Sequence, residues 1–387
     1  MEELVMKEQY TEIEWLDDLY NTSNSDRTVT VARTSLKTFD LFCQSQDMSR
    51  DEMVTRYQKW FKPEKNSENE QDIQSICISL SKCCKFMNED HEEIQTSNDN
   101  ARGGVKTFKK KSPKTIKLYF GFMKSYLRKC HGIRLTIDDI RDYVSFPKQR
   151  KDQRQPITLD QLKQIMTNCN PSRRALYYVL VTSGMRIGEA LTLTRKNFRF
   201  SERPVRVVLE AENTKTKESR ETYITSEAFE KLKLLLGDIV NHPEDCDCVK
   251  CNEQFFNILK TSVHQAVSYE DQYFGKLRAK LGFTKKYPNS IRYVTNIHSM
   301  RAYFITKASQ KNGSDYGHAL SGHGSYLKQY SRIPQEEQAK LYLDLEPELL
   351  IESVKVESKD KEKKIVALEQ IVEQLQDKML RIELLNQ

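Results

Sequence analysis

The sequence predicts a mainly α-helical protein with one small β-sheet, an α+β architecture in two domains. Three observations lead there. Apolar residues recur at spacings of three and four through most of the chain, the period of an amphipathic helix. Only residues 203–225 carry β-branched runs around a polar turn, with PVRVVLE and ETYIT flanking AENTKTKESR. Finally, 387 residues exceed what one hydrophobic core ordinarily organises, and a basic, proline-bearing junction at 144–162 (VSFPKQRKDQRQPITLDQL) offers a boundary.

The amino-terminal half is read in chain order. Residues 1–24 are acidic and polar (Glu2, Glu3, Glu8, Glu12, Glu14, Asp17, Asp18), with Trp15 and Leu16 as the main apolar marks, and suggest an acidic extension. Residues 28–61 are helical, with Val31, Leu36, Phe39 and Phe42 at helical spacing. A polar break at 62–70 separates them from a second helix at 71–89. Residues 98–114 form a turn-rich basic linker with Gly103-Gly104 as its hinge. The segment 112–133 enters through a Ser-Pro pair and turns Ile116, Tyr119, Phe122, Met123 and Leu127 inward. These pieces make a helical module of four or five helices over 25–146, followed by an interdomain linker at 147–155.

The second domain spans 156–350. Thr158 is placed to cap the helix ITLDQLKQIM, and the helix after Pro171 runs through RALYYVLVTSG to stop at Gly184. The β region follows, then an amphipathic helix EAFEKLKLLLGDIV, a polar cysteine-bearing loop at 241–254, and helices at 264–281 and 298–312. Residues 351–387 change character. Ile365, Leu368, Val372, Leu375, Met379 and Ile382 alternate steps of three and four, an a/d seam of about three heptads. That seam fits self-association or a helix packing back on the domain.

Composition bounds the partners. Hydrophobic content is 38% and charged content 30%, which suits cores under wide polar surfaces. A net charge of +7 permits a nucleic-acid partner without demanding one, but Arg102 to Arg154 form a strongly basic stretch. No run has the apolar length of a membrane span, and the start lacks a signal peptide's pattern, so a cytoplasmic protein without membrane partners is expected. Nine cysteines in such a chain read as mostly free thiols.

The chemistry concentrates in HSMRAYFITKASQKNGSDYGHALSGHGSYLKQY, from His298 to Tyr330, with Arg301 and His323 between them and Arg186 upstream in TSGMRIGEAL. Arginine forks bind phosphate oxygens and stay charged. Histidines move protons near neutrality, and tyrosine is a possible covalent nucleophile. A separate set, CDCVKC with Cys246, Cys248 and Cys251 and the preceding His242, fits one half of a zinc site. A full tetrahedral set from one short loop looks cramped, so a cysteine-rich surface loop without a ligand is the favoured reading, with structural zinc as the alternative.

TSGMRIGEALTLTRKNF, HSMR, LSGH and YSRIPQEEQAKLY, in that order, resemble the first arginine motif, the His-x-x-Arg pair, the LGH box and the nucleophile segment of tyrosine recombinases of the phage-integrase type, most of all archaeal integrases. The resemblance covers roughly residues 25–350. It implies a two-domain clamp around DNA, with a core-binding domain at 25–146 and a catalytic domain at 156–350. It implies catalytic roles for Arg186, Lys215, His298, Arg301, His323 and Tyr330. Lys215 in the hairpin turn is favoured over Lys217 as general acid. Tyr330 is favoured over Tyr326 as nucleophile, although it follows His323 at a shorter interval than is usual. His318 is read as structural and Glu189 as a brace. The implied activity is site-specific strand exchange through a 3′-phosphotyrosyl link, without ATP, catalytic metal or cofactor. The implied partners are double-stranded DNA attachment sites and further copies of the chain in a tetrameric synapse, which would make the protein nucleoid-associated. A type IB topoisomerase and a non-catalytic DNA-binding regulator are the alternatives.

Overall fold

The computed structural model describes residues 9–61, 69–96, 106–149, 152–153, 155–214, 217–257, 260–288, 290–322 and 333–352. It divides into two compact units, Met1–Lys151 and Asp152–Gln387.

The first unit contains helices α1 (Glu12–Ser23), α2 (Asp26–Gln44), α3 (Arg50–Phe61), α4 (Asn69–Met87), α5 (Pro113–His131) and α6 (Ile137–Tyr143). The helix starts are written locally. Thr11 and Glu14 form a capping box at α1, and Ser112 caps α5 ahead of Pro113. The expectation of an appended acidic extension gives way at α1. Trp15 is fully buried, its ring meets Tyr126 edge-on at 5.5 Å, and its indole N–H donates to Ser125 Oγ at 3.1 Å. One face of α1 thus belongs to the core, while its acidic residues face water and make the segment read as a tail. The helical stretch expected over 28–61 is two helices, because the chain turns at 45–49 between α2 and α3.

The first unit also holds a small antiparallel pair, β1 (His91–Thr96) with β2 (Lys106–Phe108), so 203–225 is not the only β region. HEEIQT lacks the apolar alternation of a half-buried strand. The pair is held instead by ring contacts, His91 stacked on Phe86 at 4.2 Å with Phe108 5.2 Å from Phe86. The expected Gly103-Gly104 hinge lies outside the described residues.

Helix α5 positions the unit's basic surface. Ile116, Tyr119, Phe120, Met123, Tyr126 and Leu127 are buried on one face; Phe120, rather than the expected Phe122, takes a fully inward position. Lys114, Lys117 and Arg128 are exposed and Lys124 half-exposed, at intervals that align them along the opposite face.

The second unit is built around α8 (Pro171–Ser183), in which every residue from Ala175 to Ser183 is buried. A helix apolar on all sides is a central helix. It is preceded by α7 (Leu159–Asn168), capped by Thr158 as the sequence predicts, and the structure adds Gln161 to make a capping box. Its end is also as predicted: Gly184 is left-handed at φ 65°, and a Cβ there would fall 2.2 Å from Phe304. After the single turn of α9 (Ile187–Ala190) come strands β3 (Phe198–Arg199), β4 (Val205–Leu209) and β5 (Arg220–Ile224), an antiparallel sheet in chain order with Val207 opposite Thr222. Val205, Val207 and Leu209 face the core by strict alternation.

The helices α10 (Ser226–Leu236), α11 (Val249–Asn252), α12 (Val263–Lys280), α13 (Ile297–Asn312), α14 (Ser314–Ser321) and α15 (Gln335–Leu349) complete the unit. Helix α15 is pinned to the centre, with Tyr342 and Leu345 fully buried and the Tyr342 hydroxyl donating to Thr182 O at 2.7 Å. The expected heptad seam, Ile365 to Ile382, lies outside the described residues. Among those described, no helix is long and apolar enough to cross a membrane.

Candidate active site

Four pieces of the second unit end at one place. Helix α8 stops at Gly184, and Arg186 follows as the residue that opens α9. Strand β5 begins at Arg220, the second turn of α13 carries Arg301, and α14 ends in Leu320–Ser321–Gly322.

Glu189 organises the site. Its carboxylate is buried and accepts from the Arg186 backbone N–H at 2.6 Å, from Arg186 Nη1 at 2.9 Å, and from Arg220 Nη1 and Nη2 at 3.1 and 2.6 Å. Burial pushes this carboxyl up, but the hydrogen bonds and charge of Arg220, helped by Arg186, outweigh it and hold Glu189 below its ordinary range. The expected bracing role therefore has a geometry: one carboxylate orients two guanidinium groups.

The end of α14 is stitched to three arginines by three consecutive carbonyls. Leu320 O accepts from Arg220 Nε at 3.2 Å, Ser321 O from Arg301 Nη1 at 2.5 Å, and Gly322 O from Arg186 Nη2 at 3.3 Å. Carbonyls at a helix carboxy terminus carry negative partial charge and suit cationic partners. Gly322, at φ 68°, is left-handed, and a Cβ there would sit 2.8 Å from Arg220 Nε. The chain neighbour of this glycine is His323.

Arg301 is the deepest of the three, 2% exposed. Its Nη1 donates to Gly184 O at 2.6 Å as well as to Ser321. Its Nε and Nη2 are buried and have no hydrogen-bond partner among the described residues. Burial, reinforced by the positive charges of Arg186 and Arg220 and opposed by Glu189, lowers its pKa to about 10. Three guanidinium groups around one carboxylate leave a local excess of positive charge. The arrangement suits an anion with several oxygens.

The expected residues divide by what the structure describes. Arg186, Arg301 and Glu189 come together as above. His298 is exposed on the first turn of α13, one turn before Arg301. Lys215, His323, Tyr326 and Tyr330 lie outside the described residues. Lys217 is described: its backbone is left-handed at φ 55° and its Nζ donates to Glu212 O at 3.3 Å. His318 lies on α14, half-buried. Sequence reasoning missed Arg220. Its signal was an arginine at the head of a strand whose later residues point into the core.

A model described as the phage integrase family matches residues 155–320 and ends before His323 and Tyr330. No curated protein matches. Among solved structures, the chain is similar to a XerA recombinase at 16% identity, covering 76% of this chain and 97% of that one with a TM-score of 0.33. It is also similar to a lambda integrase in a tetramer bound to a Holliday junction, at 13% identity, 84% and 80% coverage and a TM-score of 0.46. A XerH site-specific recombinase bound to difH substrate matches at 14% identity, 84% and 92% coverage and a TM-score of 0.44. The stretch that matches the phage integrase family model, residues 155–320, thus holds Arg186, Glu189, Arg220 and Arg301.

Proposed function

We propose that the chain is a site-specific DNA recombinase that cuts and rejoins strands through a 3′-phosphotyrosyl intermediate. One observation carries the reading: Arg301 keeps two buried nitrogens, Nε and Nη2, without a partner among the described residues, beside Arg186 and Arg220. Burying a charged donor unsatisfied costs about 1–3 kcal/mol or more, a cost that a bound phosphodiester oxygen would relieve. Its charge would then sit among donors already aimed before it arrives, which is how a transition state gains over solvent water.

In the reaction, the Tyr330 oxygen attacks phosphorus and the bond to the 5′ oxygen breaks. The tyrosine proton passes to one of the two histidines, His298 or His323, while the other donates to a non-bridging oxygen. Lys215 protonates the departing 5′ oxygen. A 5′-hydroxyl from the partner duplex reverses the step, so the phosphodiester bond energy is kept and no ATP is consumed. Arg186 and Arg301 bind the non-bridging oxygens. Arg220, through Glu189, positions Arg186.

The first unit is assigned to duplex binding through the basic face of α5. The substrate is a pair of double-stranded attachment sites. A homotetrameric synapse, aided by the heptad segment, would bring them together, and on DNA the protein would be nucleoid-associated. The spelling of the motifs supports an affinity to the archaeal integrases.

A nicked suicide duplex that loses its 5′-hydroxyl fragment after cleavage tests the mechanism. The full chain should form a covalent protein–DNA adduct; Tyr330→Phe should bind equally and form none, and Tyr326→Phe should still form it. Lys215→Ala should cleave slowly and be rescued by a 5′-bridging phosphorothiolate, whose sulfur leaves unprotonated, whereas Lys217→Ala should need no rescue. An adduct from Tyr330→Phe would sink the assignment.

A further inference from the structure

The reaction proposed above uses none of the nine cysteines. Six of them, Cys43, Cys77, Cys83, Cys84, Cys130 and Cys169, are buried singly or in pairs along helices and at helix ends. The other three share one loop with a histidine. Short as it is, that loop is not cramped. A turn closes between Cys246 N and Pro243 O at 3.2 Å, and a second, opening α11, closes between Cys251 N and Cys248 O at 3.0 Å. The first turn aims His242 and Cys246 together and the second aims Cys248 and Cys251, so the two pairs face one another.

The result is a compact set of four ligand atoms, all within 4.8 Å of each other. His242 Nδ1 lies 3.2 Å from Cys251 Sγ, 3.5 Å from Cys246 Sγ and 3.6 Å from Cys248 Sγ. A tetrahedral zinc ion, with bonds of about 2.3 Å to sulfur and about 2.0 Å to nitrogen, has nitrogen–sulfur edges of about 3.5 Å. The spacing of the four atoms is that of ligands around a small ion. Hydrophobic packing does not call for it, since Cys248 is exposed and Cys246 half-exposed.

We infer that His242, Cys246, Cys248 and Cys251 bind one structural zinc ion. Four protein ligands close the coordination sphere and leave no position for water or substrate, the arrangement of structural rather than catalytic zinc. Binding displaces the three thiol protons and leaves a centre of net charge −1, with neutral His242 donating through Nδ1. The ion would clamp the loop onto the sheet. Buried Arg195 donates through Nε and Nη2 to His242 O at 3.0 and 2.5 Å and through Nη1 to Phe198 O at 2.7 Å, where β3 begins. On the far side of the loop, Phe255 N donates to Leu193 O at 2.9 Å. Zinc at His242 therefore holds the entry to the sheet whose third strand begins at Arg220, without touching the reacting phosphate.

The test uses the full chain, purified in reductant without chelator, and cobalt(II) as a spectroscopic stand-in for zinc. The isolated protein should carry zinc at one ion per chain. After removal of zinc, cobalt should give the visible bands of a tetrahedral ion and a thiolate-to-cobalt charge-transfer band, saturating at one equivalent and bleached by added zinc. Cys248→Ser, at an exposed position where folding is not at issue, should weaken binding by at least tenfold. His242→Cys should keep the site and strengthen the charge-transfer band, because a fourth thiolate replaces the imidazole. Circular dichroism checks that both variants stay helical. Absence of the charge-transfer band in reduced protein, or a band unchanged in Cys248→Ser and His242→Cys, overturns the site.

Discussion

Arg220 closes on Glu189 with both terminal nitrogens, at 3.1 and 2.6 Å from the two carboxylate oxygens, and neither side chain is more than 7% exposed. The pair is thirty-one residues apart in sequence and forms the floor on which Arg186 is oriented. Removing one partner of such a buried pair leaves the other charge unpaired, which costs about 3–5 kcal/mol.

Glu189→Gln is accordingly expected to lower stability by an amount near that range and to change its dependence on acid. The folded protein holds Glu189 below its ordinary value of 4.5, so folding favours the ionised form. Its stabilising contribution is complete above that value and is lost as pH falls through the lower folded pKa. Denaturant midpoints measured from neutrality down into the acid range should converge for wild type and variant. A constant offset at all pH values would refute the assigned role of the carboxylate.

Arg301→Met is expected to behave in the opposite sense. The side chain it replaces is a buried cation with two donors unsatisfied among the described residues, and a packed apolar chain of similar length removes that cost. The variant should melt at or above the wild-type temperature, yet lose stabilisation by sulfate or phosphate. In wild type, an anion at one hundred times its dissociation constant adds about 2.7 kcal/mol. Equal anion stabilisation of both proteins, at matched ionic strength, would show that Arg301 does not line the anion site.

Gly322→Ala tests the seam between α14 and the arginines. The left-handed backbone at φ 68° disfavours alanine by about 1–2 kcal/mol, and the new methyl would press on Arg220 Nε at 2.8 Å. Covalent adduct formation on the suicide duplex should fall at least tenfold, well beyond the loss of stability. Full activity would mean that Arg220 has room to move without disturbing Arg186.

The exposed face of α5 should set salt dependence. Lys114, Lys117 and Arg128 are exposed, so their replacement by alanine should move stability by no more than about 0.5 kcal/mol each. Each phosphate contact removed should reduce the slope of log affinity against log salt by about 0.9. A triple variant with an unchanged slope would remove α5 from the DNA-binding surface.

What was legible in the sequence was what depends on near neighbours. Thr158 with Gln161 starts a helix because a hydroxyl and an amide three residues apart satisfy the first backbone donors. Gly184 stops one because it takes a left-handed turn without a side chain to clash. Arg186 and Arg301, which the structure brings together, sit in short motifs whose order survives in one dimension, and the role proposed for His298 rests on the same kind of motif. The turn that collects His242 with three cysteines is also short. Its sequence did not reveal that two backbone turns would face each other, because that depends on the angles between them.

By itself, then, the sequence determined the fold class, the starts and stops of many helices, and most of the residues proposed for the chemistry. Tertiary structure alone decided which groups share a site. Trp15 became core because Ser125 and Tyr126, far along the chain, close over its ring. Arg220 joined the site because β5 carries it to Glu189 and to Leu320 O, one hundred residues away. Arg301 reaches Gly184 O across one hundred and seventeen residues. Caps and turns act over a single turn of backbone. The convergence of two arginines on one carboxylate and of three on consecutive carbonyls is set by how α8, β5, α13 and α14 pack, and that packing is the property of the whole core.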